Sequence, residues 1–186
     1  MKSVGRKASI NSSEIVNAAI SLVGPHRSIS SLSLREVTRE AGIAPNSFYR
    51  HFKDMDELNI AIIELAGKHL RSIIRDARVL IINQKSVVRV SVECFFNEMQ
   101  KPNSSLPILL REGTVGSGEF QAAIKKQLDF FARELQIDLD KANQMSEKYI
   151  TNETFVVAKA ITQLVFAMGG NALNAKEEDV EKAVEE

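Results

Sequence analysis

The stretch SLSLREVTREAGIAPNSFYRHF, residues 31–52, gathers Arg35, Arg39, Asn46, Ser47, Tyr49, Arg50 and His51 around one glycine, Gly42, in a chain of 186 residues. These side chains are hydrogen-bond donors suited to reading, not to bond making. Arginine can grip guanine through two bonds and asparagine can grip adenine likewise, while serine and tyrosine hydroxyls reach phosphate oxygens. Between them stand Leu34, Val37, Ala41, Ile43, Phe48 and Phe52, which account for a buried side. A helix of about eight residues, a glycine-bearing turn and a second short helix make a helix-turn-helix, whose second helix enters the DNA major groove. Small residues at its leading end, Ala44 and Pro45, let backbone approach base edges. The same spacing also describes a surface hairpin with ordinary polar decoration, and spacing alone leaves both readings open.

Charge favours the first. The whole chain is neutral, with 24 basic and 24 acidic residues, but residues 1–53 carry eight basic side chains against three acidic ones. That segment holds +5 and the rest −5, a split suited to a chain that meets a polyanion at one end only. Lys2, Arg6 and Lys7 form a basic N-terminal arm that adds salt-dependent attraction or is a frayed terminus. One cysteine, Cys94, excludes an internal disulfide and fits a reducing compartment. The N-terminus lacks the apolar stretch of a signal peptide and no later apolar run approaches the roughly 20 residues of a spanning helix, so the expectation is a cytoplasmic protein without a membrane.

The elements that must position these residues are helical. Asn11 or Ser12 caps a first helix, Asn11 with Glu14 making a capping box, and Ile15, Ala18, Ala19 and Leu22 form its apolar stripe until Gly24-Pro25. Ser33 with Glu36 opens the second helix, and Gly42 suits its left-handed end. Pro45 stands in the first turn of the third. Asp54 with Glu57 opens a long pattern through Leu58, Ile62, Leu65, His69 and Ile73 to about Ile82. Residues 55–82 would span about 42 Å at about 1.5 Å each, a connecting strut. From residue 85 onward four more helical stretches are expected, broken at Lys101-Pro102-Asn103, at the glycines of REGTVGSGEF and around Asp138 to Asn152. No alternating strand pattern appears, so the class is all-α.

SLSLREVTREAGIAPNSFYRHFKDMDEL resembles the DNA-binding domain of TetR-family repressors, over roughly residues 10–60. The resemblance implies a three-helix DNA-binding domain over residues 1–53 and a larger helical bundle for effector binding and dimerisation over 54–186. It also implies that Arg35 reaches a base or phosphate, that Pro45, Asn46 and Ser47 lie along the groove floor, and that Tyr49 and His51 contact phosphate. His51 has a second reading as a filler beside aromatic packing. Charge and exposure add Arg50; Ser33, Ala44 and Lys53 complete the candidate DNA-binding set. Many family members carry a phosphate-touching lysine where this chain has Met55, and Lys53 stands close enough to substitute.

SLSLREV, GIAPNSFYRHF, DMDEL and LLREGTVGSGEFQAAIKKQLDFFAREL are further similar to the FabR-like subgroup, repressors of unsaturated fatty-acid synthesis. This similarity implies no cofactor and, as effector, a long acyl chain presented as acyl-CoA or acyl-ACP. Its tail would lie among Phe95, Phe96, Met99, Leu109, Phe130, Phe131 and Phe166, with Arg111 or Arg133 at the head group. The same side chains also suit a packed core, and the bundle leaves cavity and packed interior open. A homodimer on a palindromic double-stranded operator is the expected assembly. Gly169-Gly170 fits close helix approach at a dimer seam or a plain helix end. Family members generally continue beyond the equivalent of EEDVEKAVEE into a final interface helix; here Val180, Ala183 and Val184 are still at helical spacing where the sequence stops, so the expectation is that this helix is either missing or shorter.

Two other readings compete. A repressor of the same kind could answer another drug or metabolite, and a helical lipid carrier could use the bundle alone. An enzyme is not expected, since His26, His51 and His69 have no obvious nucleophile partners and no metal-spaced cluster or phosphate-binding glycine loop is present.

Overall fold

The computed structural model describes residues 10–23, 27–79, 87–101, 104–115, 118–145 and 153–174. Among these, eight α-helices run in the order α1 (Ser12–Val23), α2 (Leu34–Glu40), α3 (Pro45–Phe48), α4 (Met55–Val79), α5 (Val87–Met99), α6 (Leu106–Val115), α7 (Gly118–Met145) and α8 (Thr154–Asn174). A 3-10 turn, Ile29–Ser31, joins α1 to α2. The described residues hold no strand, and the chain is all-α with an N-terminal helix-turn-helix and a C-terminal helical domain. Lys2, Arg6, Lys7, Gly24-Pro25, Pro102-Asn103, the approach to Ile82 and the tail with Val180, Ala183 and Val184 lie outside the described residues.

The N-terminal helices begin where polar caps stand. Asn11 and Glu14 exchange bonds, Oδ1 accepting the Glu14 N–H at 2.9 Å and the glutamate accepting the Asn11 N–H at 3.0 Å. Ser33 and Glu36 form the complete box that opens α2. At α4 only half the expected box is present. Asp54 Oδ1 accepts the Glu57 N–H at 2.9 Å, but the Glu57 carboxylate accepts from the Lys53 N–H instead of the Asp54 N–H.

Helix α2 ends in a Schellman motif: the Ile43 N–H reaches Thr38 O at 2.9 Å and the Gly42 N–H reaches Arg39 O at 3.2 Å. Gly42 holds φ at +69°, which an L side chain resists. This turn sets the angle between α2 and α3.

One apolar core runs from Ile15 of α1 through α4 into Phe95, Leu109, Phe120 and Phe131 of the bundle, and a smaller cluster around Leu135, Leu139 and Ala158 lies further along α7 and α8. The buried side of α1 is Ile15, Val16, Ala19 and Val23, rotated from the expected stripe; Ala18 and Leu22 are half-buried. On α4 the buried positions include Leu58, Ile62, Ala66, Leu70, Ile74 and Arg78, whereas the expected Leu65 and His69 face solvent and Ile73 is half-buried.

The expected interruptions in the bundle are narrower than the sequence implied. Helix α6 continues through Gly113 to Val115, and α7 runs unbroken past Asp138 to Met145. Gly169 does not mark a helix end. Helix α8 continues to Asn174, and a Cβ at Gly169 would lie 2.8 Å from Phe95 Cε1 and 3.3 Å from Leu110 Cδ1. The glycine lets α8 press against α5 and α6 of its own chain.

Thr154–Leu173 also corrects the expectation about apolar runs, being long and apolar enough by length and composition to cross a membrane. In the fold it packs on α5, α6 and α7, with Ala158, Thr162 and Gly169 inward.

Candidate nucleic-acid interface and effector cavity

The helix-turn-helix is built on Val37, Phe48 and Phe52. Val37 and Phe48 are fully buried, and the Phe48 and Phe52 rings lie 5.6 Å apart. Phe48 also receives the edge of Tyr49 at 5.5 Å and 89°. That contact orients Tyr49 while leaving it 57% exposed, so its hydroxyl end is free to meet a ligand in solvent. After α3 the chain turns back through the His51 N–H to Phe48 O bond at 2.9 Å and the Phe52 N–H to Phe48 O bond at 3.1 Å.

Of the sequence-derived set, Ser33, Arg35, Pro45, Asn46, Tyr49, Arg50 and Lys53 are exposed, and Ala44, Ser47 and His51 are half-buried. Ser33 already spends its hydroxyl on the α2 cap, donating to Glu36 at 2.7 Å. Lys53 lies 3.7 Å from Asp54.

The remaining cations divide sharply. Arg27 is committed: its guanidinium bonds both Glu36 oxygens, at 3.0 and 3.1 Å, and both the hydroxyl and carbonyl of Ser31. These bonds and those from Ser33 hold the Glu36 carboxyl at about 2, against an ordinary 4.5. Arg35, Arg39 and Arg50 are exposed and have no side-chain partner among the described residues. Three guanidiniums left without a protein anion can answer phosphates or guanine edges.

Two apolar recesses open among the described residues of the bundle. One, with about 30 Å³ of room, lies between α4, α5, α7 and α8 and is lined by Ile74, Arg78, Ser91, Phe95, Phe131 and Thr162 among others. The second, with about 200 Å³ of room, lies between α6, α7 and α8, with Leu109, Leu110, Ile124 and Leu128 in its wall. Phe166 stands in both walls, and its ring contacts Phe95 at 5.2 Å and Phe131 at 5.4 Å.

Thus Phe95, Phe131, Phe166 and Leu109 are brought to the recesses, and the other candidates are not. Phe96 packs edge-on against Phe95 at 5.5 Å, and Met99 lies half-buried against the core. Phe130 is 40% exposed beneath Arg71. Arg133 is exposed and stacks on Phe155 at 5.5 Å. Arg111 turns toward the helix-turn-helix, donating to Arg27 O at 2.7 Å.

Sequence reasoning passed over Arg78, Ser91 and Thr162, the polar side chains of the first recess. Cys94 is a packing group: burial pushes its thiol pKa up, and Glu98 adds to the rise, so the thiolate is disfavoured.

Residues 15–62 match the family model for bacterial regulatory proteins, tetR family. The match takes in most of α1, all of α2 and α3, and the first turns of α4. The whole fold is also similar to solved structures. A TetR-family transcriptional regulator from Rhodococcus sp. superposes with a TM-score of 0.71 at 19% identity, covering 92% of this chain and 93% of that one. A TetR-family regulator from Pectobacterium atrosepticum gives 0.67 at 12% identity, covering 92% and 86%. The fatty acid degradation regulator FadR from Bacillus halodurans gives 0.66 at 15% identity, covering 89% and 85%. The tetR-type head and the helical domain behind it therefore form the TetR fold.

Proposed function

We propose that this chain is a dimeric, sequence-specific DNA-binding transcriptional repressor whose grip on a palindromic operator is set by an apolar effector. One observation carries the reading: on the tetR-type head, Arg35, Arg39 and Arg50 are exposed without protein partners, beside an exposed Asn46 and Tyr49. Arg35, Asn46, Ser47 and Arg50 serve the groove, Ala44 and Pro45 permit close approach, and Ser33, Tyr49, His51 and Lys53 serve phosphate. The two recesses support an effector, and α4 supports transmission, since it contributes Leu58 and Ile62 to the head's core and Ile74 to the first recess. An effector that prefers one arrangement of α4 shifts the population between DNA-competent and released states.

For the regulated process we propose fatty-acid synthesis and a fatty acyl effector in a cytoplasmic regulator. The subgroup resemblance supports this, and a FadR protein shares the fold. The second recess, with about 200 Å³ of room, has more space for an acyl tail than the first, with about 30 Å³.

The test is a duplex selected by the protein from a random pool, titrated by fluorescence anisotropy. Binding should weaken steeply with salt. Tyr49→Ala should lose at least tenfold in affinity while the oligomeric state is unchanged. Full affinity in that variant overturns the assignment.

A further inference from the structure

The second recess has walls of one chemical kind. Leu109, Leu110 and Ile124 are buried there, Leu128 and Phe166 are half-buried, and Gln163 and Ala167 are exposed at its rim. No ionisable side chain among the described residues lines it, and the Gln163 amide is its one polar side chain. Its room of about 200 Å³ sets it apart, since protein interiors leave few voids larger than a water molecule. Apolar cavities of roughly 150 Å³ with Leu, Ile and Phe walls stay dry and take benzene. The first recess, with about 30 Å³, has room for little more than a water.

Charge decides what can enter the larger one. An acid or an amine drawn against these walls gives up water and meets no counter-ion, a loss that an alcohol, ester or ketone largely escapes. One uncharged polar group is enough for the Gln163 amide, which both donates and accepts.

The recess also reaches the head without passing through α4. Leu109 and Leu110 of its wall are followed directly on α6 by Arg111 and Glu112. Arg111 donates to Arg27 O, and Glu112 accepts from the Ser28 hydroxyl and the Ile29 N–H. Arg27 in turn holds Glu36 in the first turn of α2. A displaced α6 wall therefore pulls on the segment that seats α2.

We infer that the recess between α6, α7 and α8 binds an uncharged, mainly hydrocarbon molecule of about six to eight carbons with one neutral polar group, and that its occupancy acts on the head through α6. This deepens the proposed function and rests on its reading of the bundle as the effector domain. Among acyl compounds the free acid is excluded.

1-Hexanol and hexanoate share a chain and differ in the charge of the head, so they separate the two classes. Ligand-observed NMR titration of the purified full chain without DNA should give at least tenfold tighter binding of the alcohol. Leu128→Trp fills the recess and should abolish hexanol binding, with a thermal melt confirming the fold. Gln163→Arg, at an exposed position, keeps the recess and adds a cation at its rim. Hexanoate should then gain at least threefold while hexanol is unchanged.

Equal binding of alcohol and acid, no hexanol binding at millimolar concentration, or hexanol binding that survives in a folded Leu128→Trp chain overturns the inference. If Leu128→Trp does not fold, Gln163→Arg decides alone, and an unchanged hexanoate affinity overturns the inference. A second arm adds hexanol to the duplex complex, where duplex affinity should change at least threefold. Hexanol binding that leaves duplex affinity unchanged upholds the site and overturns the α6 route. Absence of duplex binding by the native chain removes the repressor reading, while the NMR titration still decides the site.

Discussion

The Glu112 carboxylate of α6 accepts the backbone N–H of Ile29 at 3.0 Å, joining residues 83 positions apart in the chain. The same oxygen takes the Ser28 hydroxyl at 2.7 Å, and the neighbouring Arg111 donates to Arg27 O. Glu112 is 1% exposed, and its second oxygen has no protein partner. Helix α6 therefore ties itself directly to the segment that leads into α2, in parallel with α4. Glu112→Ala strips the acceptor from a buried N–H and should cost about 1–3 kcal/mol. Glu112→Gln keeps an acceptor there and should cost less. Urea unfolding measures both, and an alanine variant as stable as the native chain refutes the tie.

Gly169 sits where a methyl group would strike the Phe95 ring. Gly169→Ala should destabilise by about 1–3 kcal/mol despite the better helix propensity of alanine. Gly118, whose added Cβ would meet nothing within 4 Å, is the control and should tolerate alanine with little change. A shift in the denaturation midpoint confined to the first variant is the expected result.

Glu36 makes acid stability of the head a matter of one carboxylate. Its hydrogen bond from Arg27, then those from the Ser33 hydroxyl and backbone, hold the folded pKa at about 2 against 4.5. The unfolded chain thus binds the extra proton first. The carboxylate's contribution is complete above about pH 4.5 and is lost as pH falls toward 2. Because the group is partly exposed, solvent screens the effect. The native chain should lose stability across that interval more steeply than Glu36→Gln, with the two curves parallel between pH 6 and 8. Parallel curves throughout would disprove the assignment.

On α8, Val156, Ala160, Leu164 and Met168 are exposed at every fourth position, with Phe130 and Ile137 exposed on α7. An apolar strip of this kind supports association of two copies. Leu164→Glu should shift sedimentation from dimer to monomer at micromolar concentration and weaken operator binding with it. Unchanged sedimentation would move the interface elsewhere.

How far the fold could be read in advance follows from the kind of interaction. Caps and turns are local, so Asn11 with Glu14, Ser33 with Glu36, and Gly42 were legible from a few residues each. Helix α4 was not. The expected set Leu58, Ile62, Leu65, His69 and Ile73 assumes one buried face along a straight helix. The buried set includes the run Leu58, Ile62, Ala66, Leu70, Ile74 and Arg78, four residues at a time. Each step of four drifts about 40° around the axis. Over this length the inward side rotates from α1 toward α5 and α7, and Arg78 arrives where an apolar residue would be expected. That misplaced charge was a signal in the sequence, but only the partners at Ser91 and Asp138 give it meaning. Arg111 and Arg133 lie away from the two recesses for the converse reason: their partners, Arg27 O and Phe155, are remote in sequence.

Arg27 stands at both ends of this arrangement, its carbonyl held by Arg111 and its guanidinium by Glu36. Exchange of reading heads between repressors is a common engineering aim, and a cut at residue 53 looks natural here. Such a graft would seat a foreign loop on Arg111 and Glu112. Unless that loop presents a carbonyl, a hydroxyl and a free N–H in the places of Arg27, Ser28 and Ile29, the recipient bundle keeps a buried carboxylate with no donor. A transferable head for this scaffold must be chosen by its α1–α2 connection as much as by the helix that reads DNA.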